Sequence, residues 1–564
     1  MRVATAQFEL SKDTDNVLSR MLAMIDQAAA EGAQLVHFQE CCNHPTLYSS
    51  REDAWEHALS VPGKMFDAIS AAAIANKIYV SFNVSVRGEF PTAFLQNNLL
   101  DRDGKLICAN RKQILMYVER EAFVPSDREA QVVDTPFGRI GLLSCMDGLI
   151  PETSRVLACK GADIILNSLC SPALDEAHTH IRARAAENGV FMISANRIGD
   201  MLKGADLDQL IESHGMTRER LLGGGESQVV GPNGDVIVRA SRFEPGIVYA
   251  DIDSKDSQRT ARLAGRRPEC YGPLTEPNET MLAAVARRPE AGVANISAIP
   301  VSAQKSFEEN INAACKRLRE APPGIAVLPE LFAWKPGALA RSNSAVLESE
   351  RAVEALRSVA RAANIHIVAG VPGAGITGLV NQAVLIHPSG QVDTYRQVHR
   401  DSVLGWQPEG NDFPTFDLPF GRVGMLVGED LMYPEAARIL ARRGVDLIAC
   451  PLTWRTSWQF ELALPERSAE NRICIVASAR PDSSNSLPSA IVSTSTAYRF
   501  PETGDVNYPD RWISEGNNTT VTALVDLSGN RDKRLMGATN VLMDSRPDLY
   551  TTLVDMNLQT RKVA

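Results

Sequence analysis

The chain carries the same sequence pattern twice, and this internal repeat constrains its fold more than any other feature. Residues 417–451 match residues 134–168 at 16 of 35 positions without a gap. The same register continues where Arg467–Arg480 aligns with Arg184–Arg197, and an Arg-Pro-x-x-Tyr motif recurs in both halves. Self-similarity over this length indicates two copies of one domain, each of about 270 to 285 residues.

The joint between the two copies is predicted from composition. Residues 276–292 contain the polar segments EPNET and ARRPEAG, which are typical of a linker. We therefore expect a first domain at residues 1–275 and a second at residues 293–564. Residues 200–222 form an insertion in the first copy that three glycines follow, and we interpret it as a lid or a packing element.

Within the first copy, strand-like and helix-like patterns alternate. The predicted elements are a strand at 2–8, a helix at 14–31 capped by Asp13 or Thr14, a strand at 34–38, a helix at 64–76, a strand at 77–86, hairpins at 95–110 and around Pro232-Asn233-Gly234, strands at 138–144, 163–168 and 190–195, and helices at 151–160 and 176–188. Such an order predicts an α/β fold with mixed sheets, each covered by helices on one face. Because the other face must also be buried, we expect two sheets stacked between helices.

Composition and charge exclude several partners. A hydrophobic fraction of 44% with 22% charged residues is that of a globular protein. The net charge of -10 argues against a nucleic-acid partner, and no apolar run reaches membrane-spanning length. The ten cysteines are scattered and show no metal-ligand spacing. Since the N-terminal residues lead directly into a strand, we expect no targeting peptide and predict a cytoplasmic protein with reduced thiols.

Cys145 is the candidate nucleophile of the first copy. It follows the predicted strand at 138–144, and Pro151 and Glu152 then open a helical pattern. A thiol at a strand end that faces a helix N-terminus is favoured as a thiolate, which can attack a carbonyl carbon. Three more polar residues lie at the ends of apolar segments: Glu40, Lys112 and Glu119.

In the order Glu, Lys, Glu, Cys, these four residues and their surroundings resemble the nitrilase (carbon–nitrogen hydrolase) superfamily. The resemblance covers both copies. It includes Phe123-Val124-Pro125 after the second glutamate, whereas Gln39 replaces a usual proline and Asn110 a usual tyrosine. It implies an α-β-β-α sandwich in each copy, no metal or organic cofactor, and hydrolysis of a non-peptide C–N bond.

The resemblance also implies a role for each site residue. Cys145 would attack an amide, carbamoyl or nitrile carbon, with Glu40 as the general base and then the general acid. Lys112 and the backbone N–H of Met146 would stabilise the oxyanion. Glu119 would orient Lys112 and the attacking water.

The second copy lacks most of this set. Glu330 is retained, but Gln397 stands at the lysine position, Ser402 at the second glutamate and Gly428 at the cysteine. We therefore expect the second copy to be catalytically inactive. Because superfamily members are usually homodimers, the resemblance implies that this copy serves as an internal partner in a pseudo-dimer, with further homo-oligomers left open.

The substrate is less constrained by the sequence. The step Cys-x-Asp-Gly-x-x-Pro-Glu at residues 145–152 is similar to that of the aliphatic amidase and formamidase branch, which favours a small amide or N-carbamoyl compound. Candidate pocket residues on loops after strands are Tyr48, Asn83 and Cys170. Nitrile hydrolysis or a glutamine-type ammonia supply by the same site, and a non-catalytic pairing scaffold, remain as alternatives.

Overall fold

The computed structural model describes residues 1–43, 48–116, 119–201, 208, 211–212, 217–335, 344–494, 500–535 and 537–559. Much of the insertion predicted at 200–222 lies outside these residues. The chain forms two compact units. Unit 1 comprises the described residues of Met1–Ala264, Tyr498–Val506 and Arg534–Ala564, and unit 2 those of Gly265–Ala497 and Asn507–Lys533.

Unit 1 contains two six-stranded mixed sheets. Its strands are β1 Arg2–Gln7, β2 Leu35–His37, β3 Tyr79–Arg87, β4 Ala93–Leu100, β5 Leu106–Arg111, β6 Val132–Thr135, β7 Gly138–Ser144, β8 Ile164–Leu169, β9 Phe191–Asn196, β10 Gln228–Val230, β11 Val236–Arg239 and β12 Gly246–Asp251. One sheet has the order β12-β1-β2-β3-β4-β5, and the other β11-β10-β9-β8-β7-β6. The parallel pairs β1–β2, β2–β3, β7–β8 and β8–β9 bring the C-terminal ends of these central strands to one edge of each sheet.

The two sheets of unit 1 pack face to face between helices. Alternate residues of both sheets, such as Val3, Leu142 and Ile193, form one buried cluster between them. The outer face of the first sheet packs on apolar residues of the helices Thr14–Ala30 and Lys64–Asn76. The helices Pro151–Cys159 and Ile181–Asn188 cover the outer face of the second sheet. The predicted α-β-β-α sandwich is therefore confirmed.

Unit 2 repeats this architecture. Its strands are β13 Val293–Ala298, β14 Gly324–Val327, β15 His366–Ala374, β16 Leu379–Ile386, β17 Val392–Arg396, β18 Thr415–Leu418, β19 Gly421–Met425, β20 Leu447–Leu452, β21 Cys474–Ala479, β22 Ala490–Ser493, β23 Asp510–Ile513 and β24 Val521–Asp526. The orders β17-β16-β15-β14-β13-β24 and β18-β19-β20-β21-β22-β23 are those of unit 1, strand for strand. The main helices of this unit are Phe307–Glu320, Ala345–Ala363, Pro434–Arg442 and Leu464–Asn471.

Most elements predicted for the first copy lie within two residues of their observed bounds. The helix Thr14–Ala30 begins after Asp13, whose side chain accepts hydrogen bonds from the amides of residues 15 and 16 as an N-cap. One predicted helix differs in kind, because residues Glu176–His180 form a π-helical turn before the α-helix Ile181–Asn188. The short helix Arg51–His57 lies in a stretch for which we predicted no element.

The compact units depart from sequence order at the ends of the two copies. Residues from Gly265 onward belong to unit 2, and the end of the chain from Arg534 belongs to unit 1. The stretch 276–292, assigned to a linker, carries the helix Asn278–Ala286 of unit 2, where Asn278 accepts a hydrogen bond from Arg442. Each recurrent Arg-Pro-x-x-Tyr motif therefore contributes to the unit built mainly from the other copy.

No helix among the described residues is both long and apolar enough to cross a bilayer.

Candidate active site

The candidate nucleophile Cys145 lies at a strained turn in unit 1. It follows β7, its amide donates to the carbonyl of Ser168 at 2.9 Å, and it precedes the short helix Met146–Leu149. Its backbone has φ 42° and ψ -106°, a conformation that costs a residue with a Cβ about 1–3 kcal/mol and that occurs mostly at functional sites. The turn brings the thiol to the edge of the sheet where the parallel strands end.

Asp147 connects the nucleophile turn to the lysine strand, a role that the sequence analysis missed. Its carboxylate accepts hydrogen bonds from the amides of Gln113 at 3.1 Å and Ile114 at 2.9 Å, directly after Lys112. Burial raises the pKa of Asp147 to about 7, against the opposing effect of Lys112. A signal was present in the sequence, since Asp430 occupies the same place in the second copy.

Two further residues support the same turn. A Cβ at Gly148 would lie 2.9 Å from Nδ2 of Asn167, so a side chain there would displace a buried amide. Nε of Arg184 donates to the carbonyl of Gly148 at 2.9 Å, and its Nη2 donates to that of Leu149 at 2.7 Å. The recurrent Arg-x-Ala-Glu-Asn pattern therefore marks an arginine that satisfies the carbonyls of the nucleophile turn.

Glu40 is held between the two sheets of unit 1. Its amide donates to the carbonyl of Leu169 at 3.1 Å. The preceding Gln39, found where the related family has proline, bonds both the amide and the carbonyl of Phe8, at 3.0 and 2.8 Å. These contacts fix the backbone at the end of β2 to Leu169 and to Phe8. The position of the Glu40 side chain is therefore set by the backbone that carries it.

Glu40, Lys112 and Glu119 form one buried ion-paired group. Nζ of Lys112 donates to Oε1 of Glu40 at 2.9 Å and to Oε1 of Glu119 at 2.8 Å, and none of the three residues is more than 5% exposed. The other oxygen of Glu119 accepts from the amide of Met116 at 2.8 Å. Among the described residues, Oε2 of Glu40 has no hydrogen-bond partner. One carboxylate oxygen is therefore available for a proton from another group.

The electrostatics of this group favour a proton-accepting carboxylate near neutrality. Burial raises the pKa of Glu40 to about 7; Lys112 opposes this shift and Glu119 adds to it. Burial alone would lower the pKa of Lys112, but the carboxylates of Glu119 and Glu40 raise it well above its usual value. Lys112 is therefore a permanent cation, and Glu40 titrates close to physiological pH.

Burial of Cys145 opposes the thiolate form that its place before a helix N-terminus favours. Burial raises the pKa of its thiol well above the usual value, the charge of Glu40 raises it further, and Lys112 only partly offsets both. The favourable field of a four-residue helix is too small to outweigh the loss of solvation. The thiol therefore needs a base to remove its proton, and Glu40 and Lys112 both lie within electrostatic reach of it.

The other predicted site residues are placed as follows. Met146 begins the helix Met146–Leu149, where the first amides have no intrahelical acceptor. The ring of Tyr48 packs edge-on against Phe123 at 5.3 Å between centroids. Sγ of Cys170 accepts a hydrogen bond from Arg197 at 3.7 Å. Substrate contacts of Tyr48 and Cys170 stay predictions.

Asn83 lies within β3, not on a loop after a strand as predicted, and its side chain has an internal structural role beside the site. Its Nδ2 donates to Ser144 Oγ at 2.9 Å and to Asn97 Oδ1 at 3.1 Å, while its Oδ1 accepts from the amide of Cys41 at 3.1 Å. The side chain thus links the residues next to Glu40 and Cys145. Its side-chain amide already has three internal hydrogen-bond partners. A contact between Asn83 and substrate stays a prediction.

Unit 2 brings the corresponding positions together with different side chains. Gly428 has φ 58°, so the turn keeps its positive φ with a residue that tolerates it. A Cβ built on Gly428 would lie 2.6 Å from Oε1 of Glu330 and 3.1 Å from Nε2 of Gln397. Oε1 of Glu330 accepts from Asn381 at 2.6 Å, so a carboxylate fills the place of the nucleophile side chain.

A different cation faces the retained glutamate of unit 2. Nη2 of Arg455 lies 3.6 Å from Oε2 of Glu330 and 3.1 Å from Asp401. Ser402, at the second glutamate position, donates to Glu429 at 2.6 Å. An arginine from the loop after β20 thus serves as the counter-ion of Glu330 in place of a lysine. It comes from a different place in the fold, since Gln397 occupies the lysine position.

No group of three or more His, Cys, Asp or Glu among the described residues is arranged to hold a metal ion.

Comparisons with known proteins identify the family to which this chain belongs. Residues 2–262 and 294–493 match the family model described as carbon-nitrogen hydrolase. The chain is 29% identical over 245 residues to a nitrilase of Pyrococcus abyssi, which covers 43% of this chain and 85% of that protein. It is 28% identical over 273 residues to an omega-amidase of Homo sapiens, and this match covers 45% of this chain and 89% of that protein. A crystal structure of an amidase from Nesterenkonia sp. aligns with a TM-score of 0.38 and 23% identity, covering 47% of this chain and 94% of that one.

The family model matches well over half of the residues of this chain, in two tandem regions. This chain therefore belongs to the carbon-nitrogen hydrolase family.

Proposed function

We propose that unit 1 hydrolyses a small linear amide or an N-carbamoyl compound through a thioester on Cys145, with release of ammonia or an amine. The observation that carries this proposal is the buried group in which Lys112 bridges Glu40 and Glu119 beside the Cys145 thiol. The omega-amidases among the relatives favour an amide as the class of substrate.

The residues divide the reaction between them. Oε2 of Glu40, which has no hydrogen-bond partner among the described residues, takes the proton from Cys145 as sulfur attacks the carbonyl carbon. The ammonium of Lys112 and the amide of Met146 stabilise the oxyanion. Collapse breaks the C–N bond, and Glu40 returns the proton to the leaving nitrogen. A water molecule positioned by Glu119 then loses a proton to Glu40 and attacks the thioester carbon. The C–S bond breaks as the acid leaves, and Glu40 returns the proton to the sulfur of Cys145.

We further propose that the second copy is catalytically inactive. Gly428 has no nucleophilic atom, and Gln397 supplies no charge to an oxyanion. The carboxylate of Glu330 stands close to where a side chain at position 428 would begin. Hydrolysis would then depend on unit 1 alone, with one active site per chain.

The function is tested by trapping the acyl-enzyme. The full-length protein is incubated with aliphatic amides, N-carbamoyl compounds, glutamine and nitriles, ammonia is measured, and the reaction is acid-quenched for peptide mass analysis. We expect ammonia from amides or carbamoyl compounds and a matching acyl mass on the peptide that contains Cys145. Turnover restricted to nitriles or to glutamine would select one of those alternatives. Absence of turnover and of any acyl mass would favour a non-catalytic scaffold.

The acid limb of the pH profile is expected near pH 7. Glu40 must be a carboxylate to accept the thiol proton, and burial raises its pKa to about 7. Below that pH the protonated fraction grows, so kcat/KM should fall about tenfold per pH unit. The measurement is kcat/KM from pH 5 to 9 in overlapping buffers at constant ionic strength. An acid limb near 4.5, the ordinary value for glutamate, would contradict the assignment of Glu40 as the base.

A further inference from the structure

The end of the chain contacts the loop that carries Lys112 and Glu119. Asp544 forms an ion pair with Arg120, the residue that follows Glu119. Nε of Arg120 also donates to the carbonyl of Leu115 at 3.2 Å, which fixes its guanidinium across the loop. All of these residues belong to unit 1, although Asp544 lies beyond the second copy of the family match.

A second contact reaches the backbone of Lys112. Nη1 of Arg546 donates to the carbonyl of Ser126 at 2.8 Å, and the amide of Ser126 donates to the carbonyl of Lys112 at 2.8 Å. Arg546 is itself oriented, because its amide donates to the hydroxyl of the buried Tyr550 at 3.0 Å. Two hydrogen bonds therefore separate the arginine of the recurrent Arg-Pro-x-x-Tyr motif from the catalytic lysine.

A third contact fixes the far end of the loop. Thr552 donates to Glu129 through its amide at 3.1 Å and its hydroxyl at 2.7 Å. Glu129 also pairs with Lys160 at 2.7 Å, next to the helix Pro151–Cys159 that follows the nucleophile turn. The loop from Lys112 to Glu129 is thus held at three points by residues 544–552.

We propose that Asp544 and Arg546 are positioning residues of the active site, which hold Glu119 and Lys112 in register with Glu40; this inference rests on the proposed function. They touch neither substrate nor the reacting atoms. They act by fixing the loop, since Glu119 lies on a four-residue helix that has little stability of its own. The active site of unit 1 is incomplete without this terminal segment, so the copy that lacks a nucleophile is followed by residues that the chemistry requires.

A positioning role and a purely structural role predict different sizes of effect on the reaction rate and on folding stability. The Arg120–Asp544 pair is partly exposed and borders an open cleft of about 620 Å³, and such pairs contribute only about 0–1 kcal/mol to folding. Displacement of a catalytic group by 1 Å, by contrast, can cost about 100-fold in rate. Loss of the pair should therefore change catalysis much more than thermal stability.

The test uses Asp544→Asn, Arg546→Gln and the double variant in the full-length protein, with Asp555→Asn as the matched control. Asp555 lies in the same segment and accepts only a local hydrogen bond from the amide of Asn557 among the contacts described. We expect each single variant to lower kcat about tenfold with KM changed less than about twofold. Asp544→Glu should recover most of the loss, and Asp555→Asn should behave as wild type.

A second readout is independent of the substrate. The rate at which iodoacetamide alkylates Cys145, followed by peptide mass from pH 5 to 9, reports the titration of its base. Glu119 raises the pKa of Glu40, so a displaced Glu119 should shift the midpoint of this profile to lower pH. Wild-type kcat and an unshifted midpoint in the double variant would overturn the proposal, as would a lower melting temperature without either change. Failure of the proposed function is seen separately, as wild-type hydrolysis that survives Cys145→Ala.

Discussion

Replacement of Cys145 by alanine is expected to lower kcat for amide hydrolysis on the order of 10⁵-fold. The reason is that Cys145 is both the nucleophile and the carrier of the acyl group, and its base Glu40 has no proton to accept without it. The variant keeps Glu40, Lys112 and the amide of Met146, so binding of the amide survives although no sulfur attacks it. KM should therefore change little while the chemical step is lost. The measurement is ammonia release under saturating substrate, with the acyl mass on the Cys145 peptide absent.

Two companion variants exclude a loss caused by misfolding. Cys159→Ala removes a half-buried thiol at the end of the helix Pro151–Cys159 and should retain wild-type activity. Cys145→Gly should be as inactive as Cys145→Ala but about 1 kcal/mol more stable, because glycine relieves the strained backbone at φ 42°. Hydrolysis by Cys145→Ala within tenfold of wild type would refute the sulfur mechanism. A melting temperature for Cys145→Gly below that of the alanine variant would refute the strain.

Replacement of Lys112 by glutamine, the residue found at this position in the second copy, is expected to lower kcat about 10³-fold. The change removes the cation aimed at the oxyanion and leaves Glu40 and Glu119 buried without their shared partner. Removing one member of a buried ionic group costs about 3–5 kcal/mol, so the melting temperature should also fall. Since Lys112 lowers the pKa of Glu40, the acid limb should move above pH 7.

The matched control is Lys105→Gln, an exposed lysine in the hairpin between β4 and β5. It removes the same charge from the other end of β5 and should leave rate, pH profile and melting temperature unchanged. The direction of the pH shift is the most specific outcome for Lys112→Gln. An acid limb that stays near 7 or moves lower would show that Lys112 does not oppose the protonation of Glu40, whatever the loss in rate.

Sequence patterns predicted the elements of the first copy well, because hydrophobic periodicity and turn residues are local signals. The helix at 64–76 and the strand at 138–144 have the bounds that the pattern indicated. The approach of Glu40 to Lys112 could not be derived from spacing alone. It followed from a resemblance to a family, and the structure places the two side chains 2.9 Å apart.

Features with no local signal were missed. Arg120 and Asp544 are separated by 424 positions in the chain, and nothing in either neighbourhood indicates the other. The role of Asn83 depends on the direction of one side chain on β3, which alternation along a strand predicts only as one of two faces. The protonation of Cys145 depends on burial, and its depth is a property of the whole unit rather than of residues 144–152.

If the second copy is inactive, as proposed, the geometry around Gly428 makes a single substitution insufficient to build a nucleophile there. A cysteine restored there would meet the carboxylate of Glu330, which Asn381 and Arg455 hold in place. Even after that carboxylate moved, Gln397 would offer no charge to an oxyanion. A nucleophile introduced at position 428 would therefore need accompanying changes at Glu330 and Gln397, whose side-chain atoms occupy the space where it would begin.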